Sequence, residues 1–166
     1  MDVRLLVVLV AAAIILLIAV ALMLPQPSVE RAEAGGKEEA KLEPIKSCRL
    51  TVVVDNNAGG GLETAWGVSI LAEVDDLKIL FDTGPDPGVL ARNLKRLGID
   101  PSEIDMVVIS HEHHDHVGGL PYLAEVKPDL KVYVPSGMGS SVKAEIRRLG
   151  LRLVEVEDTM RIAGGV

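Results

Sequence analysis

The 166-residue sequence has few aromatic residues and a single cysteine. One Phe, one Trp and two Tyr cannot build the stacking platform on which single-stranded nucleic acids bind. The net charge of -7 also repels phosphate backbones, so we expect no nucleic-acid partner. A lone cysteine, Cys48, cannot form an internal disulfide, and the sequence offers no cysteine pair of the zinc-binding type.

Charged and polar side chains are absent between Leu5 and Leu24. An apolar helix of this length, at ~1.5 Å per residue, matches the ~30 Å hydrocarbon core of a bilayer. A cleaved signal peptide would have a shorter apolar region with a small-residue cleavage site close behind it, whereas the one such match, residues 32–34, lies well beyond Pro25. We therefore predict a retained single-pass membrane anchor over residues 1–24. Arg4 favours an inside amino terminus and an outward-facing domain, although basic residues also follow the apolar segment.

Residues 25–47 are polar, contain glycine and proline, and carry charges of both signs. Such a composition buries almost nothing and is typical of a solvated spacer. We interpret this stretch as a linker and residues 48–166 as the folded domain.

Within the domain, strands are predicted before helices and then alternate with them. Three β-branched or apolar runs predict strands over residues 49–55, 66–74 and 78–81, the last two joined by a turn at Asp75-Asp76. Helices are predicted over residues 88–97, 117–126 and 140–149, and further strands over residues 106–109, 131–134 and 151–156. This alternation predicts an α/β fold with helices packed on a mixed or mostly parallel sheet.

All four histidines lie in the stretch SHEHHDH, residues 110–116, directly after a predicted buried strand. Imidazole nitrogens and carboxylate oxygens are ligands that zinc accepts, and the end of a rigid strand can direct several of them to one spot. His111 and His113 can converge on one ion, whereas Asp115 and His116 come from the next turn and can serve a second. The spacing therefore predicts a two-metal site.

The motif HEHHDH is similar to the H-x-H-x-D-H signature of the metallo-β-lactamase superfamily, and FDTG at residues 81–84 resembles the upstream D-T-G element of that family. Residues 54–57 (VDNN) and 66–69 (WGVS) further resemble the 7,8-dihydropterin-6-yl-methyl-4-(β-D-ribofuranosyl)aminobenzene 5'-phosphate synthase subgroup. The resemblance runs from about residue 50 to the carboxyl terminus. It implies the N-terminal half of an αβ/βα sandwich.

This resemblance also implies roles for individual residues. His111 and His113 would bind the first zinc ion, and Asp115 and His116 the second, with manganese or iron as alternatives to zinc. Asp115 could in addition orient the proton of the attacking water, and Asp82 would orient the ligands, although it could also be a simple turn cap. The implied activity is hydrolysis of an ester, phosphoester or pterin-type small molecule. His114, at the variable position of the motif, is not expected to be a ligand.

The sequence departs from the family pattern after the motif. Family members supply further histidine and aspartate ligands from the second half of the sandwich, whereas this sequence has no histidine after His116. Zinc in catalytic sites generally takes three ligands from protein. We therefore keep two alternatives open: a non-catalytic fragment, and a site completed by a second polypeptide or by a second copy of the chain.

Overall fold

The computed structural model describes residues 44–57 and 59–162. The predicted anchor and nearly all of the predicted linker lie outside these residues. Within the described ranges, no helix is long and apolar enough to cross a membrane. The anchor therefore stays a prediction from the sequence.

Within the described residues, six strands form one mixed sheet in which every strand lies beside its neighbours in sequence. The first three strands form an antiparallel meander, and the third to the sixth run parallel to one another. The predicted turn between the second and third strands is confirmed, with Asp75 at a φ of 51°, the left-handed conformation that a tight hairpin turn needs. The strands are β1 Cys48–Val54, β2 Ser69–Val74, β3 Leu77–Phe81, β4 Met106–Val108, β5 Lys131–Pro135 and β6 Arg152–Val156.

Helices connect the parallel strands, which confirms the predicted α/β class. They are α1 Pro87–Arg96, α2 His114–Val117, α3 Leu120–Val126 and α4 Ser140–Arg148, with a 3₁₀ turn at Pro101–Glu103. The predicted single helix over residues 117–126 is wrong in extent, because α2 ends at Val117 and α3 begins at Leu120. Pro121 has no N–H with which to continue the hydrogen-bond ladder of α2.

The two faces of the sheet have different surroundings. Side chains that alternate onto the first face, such as Leu80, Val107 and Val132, are fully buried and belong to one cluster with the apolar residues of α1, α3 and α4. Each such side chain contributes roughly 1.5–3 kcal/mol by leaving water. On the second face Leu50 is 67% exposed and Val52 is 48% exposed. This face is apolar and only partly covered by the described residues.

The sheet also positions the predicted metal-binding residues. Strands β3 and β4 are parallel and adjacent, with Phe81 paired to Val108. Asp82 follows the carboxyl end of β3, and His111 lies three residues after β4 ends. In open α/β sheets this edge, the carboxyl ends of parallel strands, is where ligands bind.

Candidate metal centre

Asp82 is completely buried and occupies the left-handed region of backbone conformation, with a φ of 53°. Neighbouring strands hold it there: its N–H donates to the Val108 carbonyl at 2.9 Å, and its own carbonyl accepts from Ser69 Oγ at 2.9 Å. Few residues other than glycine adopt this conformation, and Asp is among the more tolerant. The fold therefore places one carboxylate in a buried position, at the expense of a strained backbone conformation.

The Asp82 carboxylate reaches across to the end of β4. Its Oδ1 accepts a hydrogen bond from the Ser110 N–H at 2.8 Å. Its Oδ2 accepts from Ser110 Oγ at 2.7 Å and lies 2.7 Å from His116 Nδ1. The side chain thus contacts Ser110 and His116, which lie far from it in the sequence. A simple turn cap, the alternative role considered for Asp82, would require only local contacts.

The imidazole rings of the motif come together at this point. The ring centroids of His111 and His113 lie 4.5 Å apart in an edge-to-face arrangement, and those of His111 and His116 lie 4.0 Å apart. His114 takes another direction and lines a groove with residues of α3 and α4. Three of the four histidines therefore share one location, and the one at the variable position of the motif does not.

Asp115 and His116 lie on the first turn of α2 and present a pair of donor atoms. His116 Nε2 lies 3.4 Å from Asp115 Oδ2. Two ligands of a tetrahedral zinc ion with bonds of about 2.0–2.2 Å stand roughly 3.3–3.6 Å apart. The separation of these two atoms therefore matches one edge of a zinc tetrahedron. Because Asp82 engages Nδ1 of the same ring, Nε2 is the nitrogen left to face an ion.

Thr83 fixes the main chain beneath this donor pair. The carbonyl oxygen of His116 accepts from the Thr83 N–H at 2.8 Å and from Thr83 Oγ1 at 2.9 Å. Thr83 Oγ1 in turn accepts from the Gly119 N–H at 3.1 Å. The sequence offered Thr83 as part of the D-T-G element, but the link it makes to His116 joins residues far apart in the chain and has no local sequence signal.

Gly67 allows the segment before β2 to approach α2 closely. A Cβ atom at Gly67 would lie 2.3 Å from the Asp115 carbonyl oxygen, and the residue has a φ of +141°. The backbone leaves the extended conformation here, so β2 begins at Ser69, three residues later than predicted. The resemblance of WGVS to a family element thus coincides with a close contact to a predicted ligand.

The donor types in this cluster fit zinc, but their described positions do not direct three of them at one ion. Within residues 44–57 and 59–162, no group of three or more His, Cys, Asp or Glu side chains is arranged to hold one metal ion. Imidazole with imidazole, and imidazole with carboxylate, are the combinations found among zinc ligands. The described residues could therefore supply part of the ligands of each of two ions.

The comparisons with known proteins agree with this geometry. The sequence profile of the metallo-beta-lactamase superfamily matches residues 67–155. The chain belongs to the metallo-beta-lactamase superfamily, whose members are metal-dependent hydrolases. The matched range contains Asp82 and the whole histidine motif.

Two curated relatives show the range of that family. The chain is 30% identical over 122 residues to 7,8-dihydropterin-6-methyl-4-(beta-D-ribofuranosyl)-aminobenzene-5'-phosphate synthase of Methanocaldococcus jannaschii, which covers 60% of this chain and 42% of the relative. It is 30% identical over 95 residues to ribonuclease J of Mycolicibacterium smegmatis, which covers 55% of this chain and 17% of the relative. The match to the synthase agrees with the subgroup resemblance in the sequence.

Among solved structures, the metallo-beta-lactamase fold protein YhfI of Bacillus subtilis matches with a TM-score of 0.51 at 18% identity, over 66% of this chain and 47% of that one. At this identity the likeness concerns the fold alone. The chain thus spans less than half of the length of each of these three proteins.

Proposed function

We propose that this chain is a metal-dependent hydrolase that uses two ions, with zinc as the first choice and manganese or iron as alternatives. The observation that carries the proposal is the buried Asp82 carboxylate, which holds the His116 ring so that Nε2 stands beside the Asp115 carboxylate at 3.4 Å. A bound metal pair would supply a water of lowered pKa and would polarise a carbonyl or phosphoryl oxygen.

Each residue of the cluster has a distinct part in this proposal. His111 and His113 would hold one ion, and Asp115 and His116 the other. Asp82 fixes the His116 ring, and the Asp115 carboxylate has a second oxygen with which to orient the proton of an attacking water. His111 and His113 follow the end of β4, and Asp115 and His116 lie on α2. The end of this strand and the short helix after it would therefore set the distance between the ions.

An ester, a phosphoester or a pterin-type molecule is the substrate class we propose. The curated relative at 30% identity is named for a phosphorylated pterin-linked compound, which supports a phosphorylated or pterin-like substrate. An apolar groove of about 370 Å³ extends from Ser110 along the ends of β5 and β6. Such a groove beside a metal pair could accept the apolar or aromatic part of a small substrate.

Hydrolysis of chromogenic esters and phosphodiesters by the zinc-loaded full-length chain tests this function. We expect turnover that a chelator abolishes and that His111→Ala lowers by about 100-fold or more, since even outer-sphere partners of a metal are worth 10- to 100-fold. His114→Ala is the matched control, because it removes the neighbouring imidazole that lies outside the cluster, and it should leave turnover unchanged. Equal turnover in wild type and His111→Ala would contradict the proposal.

The second candidate function is a metal site that a partner completes. The observation in its favour is that no three of the described His, Cys, Asp or Glu side chains are arranged to hold one ion, whereas catalytic zinc takes three protein ligands. We propose that a second polypeptide, or a second copy of the chain, supplies the further histidine and aspartate. In that case the isolated chain would bind zinc weakly and hydrolyse nothing, and activity would appear only in the complex. A chain that is fully active as a monomer excludes this candidate.

We further propose that residues 5–24 anchor the domain to a membrane as a single span, with the domain on the outer face. The uninterrupted apolar run supports the anchor, and Arg4 supports the orientation. Alkaline carbonate extraction should leave the chain in the membrane fraction, and protease added to intact cells should digest the domain. A chain released by carbonate contradicts the span, and a protected domain contradicts the orientation.

A further inference from the structure

Ser110 is the residue that immediately precedes the histidine motif, and its hydroxyl lies between two groups of the metal centre. Ser110 Oγ is 2.7 Å from Asp82 Oδ2 and 2.9 Å from His111 Nδ1. A longer distance of 3.5 Å separates it from His116 Nδ1. The hydroxyl therefore joins the buried carboxylate to the first histidine of the motif, whereas His116 contacts that carboxylate directly.

The direction of these hydrogen bonds follows from counting protons. A carboxylate only accepts, so each close contact to Asp82 Oδ2 needs a proton on the other side. The single proton of the Ser110 hydroxyl must then point at Asp82, which leaves the hydroxyl oxygen to accept from His111. His111 must therefore carry a proton on Nδ1, and in the neutral ring Nε2 keeps a lone pair that can bind an ion.

The same count applied to His116 gives the same arrangement. Its Nδ1 lies 2.7 Å from Asp82 Oδ2 and must donate to it. One carboxylate thus sets the proton position on a histidine from each of the two ligand pairs, directly for His116 and through a hydroxyl for His111.

We propose that Ser110 is a positioning residue that transmits the orienting effect of Asp82 to His111 and so prepares Nε2 of that ring for metal binding. The inference rests on the proposed function for its purpose. The hydrogen-bond chain itself exists without a metal, so the two can fail separately.

Nitrogen-15 NMR of the metal-free full-length chain in detergent micelles tests the chain of hydrogen bonds. Long-range proton–nitrogen correlations, recorded at mildly alkaline pH, report which ring nitrogen carries the proton. We expect the Nδ1–H form for both His111 and His116 in the wild type. In Ser110→Ala, His111 should shift toward the Nε2–H form while His116 stays in the Nδ1–H form. Ser110→Thr keeps a hydroxyl and should restore the wild-type pattern.

Zinc affinity, measured by competition with a chromophoric chelator, is the second readout. Ser110→Ala should weaken zinc binding by about 10- to 100-fold, the usual effect of losing an outer partner of a histidine ligand. Ser110→Thr should stay within about threefold of wild type, as should Ser140→Ala, a serine-to-alanine change at an exposed position on α4.

Two results would overturn the inference: an Nε2–H form of His111 in the wild type, or a His111 proton position that Ser110→Ala does not alter. If Ser110→Ala does not fold, the wild-type spectrum and Ser110→Thr still decide. A chain that shows the expected proton positions but binds no zinc supports the role of Ser110 and contradicts the proposed hydrolase.

Discussion

Asp82 concentrates the physical cost of this site in one residue. Its side chain is completely buried, and its backbone φ of 53° lies in a region that residues other than glycine seldom occupy. Burial of a carboxylate is tolerated when hydrogen-bond donors surround it, and Ser110 and His116 provide them. The buried carboxylate and the strained backbone are consistent with a role for Asp82 in orienting a metal ligand.

Asp82→Asn tests this role at the scale of a single residue. Asn tolerates the left-handed backbone, so the fold should persist. In the wild type, Asp82 Oδ2 accepts hydrogen bonds from the Ser110 hydroxyl and from His116 Nδ1. The NH₂ group of Asn would take the place of Oδ2 and cannot accept either of them. We expect zinc affinity to fall by about 10- to 100-fold and the free energy of unfolding to fall by about 1–3 kcal/mol, measured by chelator competition and urea unfolding.

Asp129→Asn is the matched control for this change. Asp129 also has a positive φ, 63°, but it is exposed and lies in the turn before β5. It should change neither zinc affinity nor stability appreciably. If the Asp82→Asn chain binds zinc as tightly as the Asp129→Asn chain, then Asp82 has no role in the metal centre.

At the scale of elements, two loops lock together at the carboxyl ends of β3 and β4. Thr83 and Pro85 from the first loop lie against the glycine pair 118–119 between α2 and α3. A Cβ atom at Gly119 would stand 2.3 Å from the Thr83 carbonyl oxygen and 2.7 Å from Leu90 Cδ2. This contact holds the helix that carries Asp115 and His116 against the loop that carries Asp82.

Gly119→Ala should therefore destabilise the protein through overcrowding alone, since Gly119 has an ordinary negative φ of -82°. We expect a loss of about 1–3 kcal/mol in the free energy of unfolding. Gly137→Ala is the control, because no atom of the described residues lies within 4 Å of a Cβ atom there, and it should stay within about 0.5 kcal/mol of wild type. Equal unfolding midpoints for the two variants would show that the loops do not pack as described.

An ion pair fastens the segment after β1 to α1. The Glu63 carboxylate lies 2.7 Å from Arg92 Nη2 and 3.2 Å from Arg96 Nη1. The hydrogen bond from Arg92, with the charges of Arg92 and Arg96, lowers the pKa of the Glu63 carboxyl below its ordinary value of 4.5. A depressed pKa contributes stability that is fully present above the unfolded-state pKa and is lost as the pH falls through the folded-state pKa.

Glu63→Gln should remove that part of the pH dependence. Urea unfolding between about pH 3 and pH 6 should show a shallower loss of stability on acidification than in the wild type. The exposed position allows only a small effect. Glu125→Gln, an exposed change on α3, should keep the wild-type slope, and a Glu63→Gln slope identical to wild type would mean that the pair does not form in solution.

The elements that local pattern controls were predictable from the sequence, and those that depend on distant contacts were not. The alternating and helical patterns of apolar residues predicted the bounds of most strands and helices to within a few residues. The late start of β2 depends on the approach of Gly67 to Asp115, a distant contact that has no periodic signature. The split between α2 and α3 depends on Pro121, a local signal that the apolar spacing of residues 117–126 does not contain.

At the scale of the whole molecule, the location of the candidate site was predictable because four histidines stand together after one buried strand. The resemblance to the family added Asp82, which lies 34 positions from His116 in the sequence. Ser110 and Thr83 were not assigned roles, because a serine beside a histidine and a threonine beside an aspartate are common in any chain. Their roles follow from hydrogen bonds between the segment after β3 and the segment after β4, which only the folded sheet brings together.

The second face of the sheet provides the prediction at this largest scale. Leu50 and Val52 point to the same side of β1 and remain largely exposed, and apolar surface of this kind promotes association. Leu50→Lys combined with Val52→Lys should reduce self-association of the full-length chain in detergent micelles, as measured by sedimentation velocity. Val126→Lys, at an exposed position on α3, should not. Unchanged association in the double variant would show that this face is not the contact surface.

Zinc K-edge X-ray absorption on the zinc-loaded full-length chain tests whether the histidine motif binds the metal. We expect a first shell of nitrogen and oxygen at about 2.0–2.2 Å, with the outer-shell scattering of imidazole, and a clear decrease of that imidazole scattering in a chain carrying both His111→Ala and His116→Ala. A shell of water oxygens alone, or a sulfur shell at about 2.3 Å from Cys48, would contradict a metal centre built from the histidine motif.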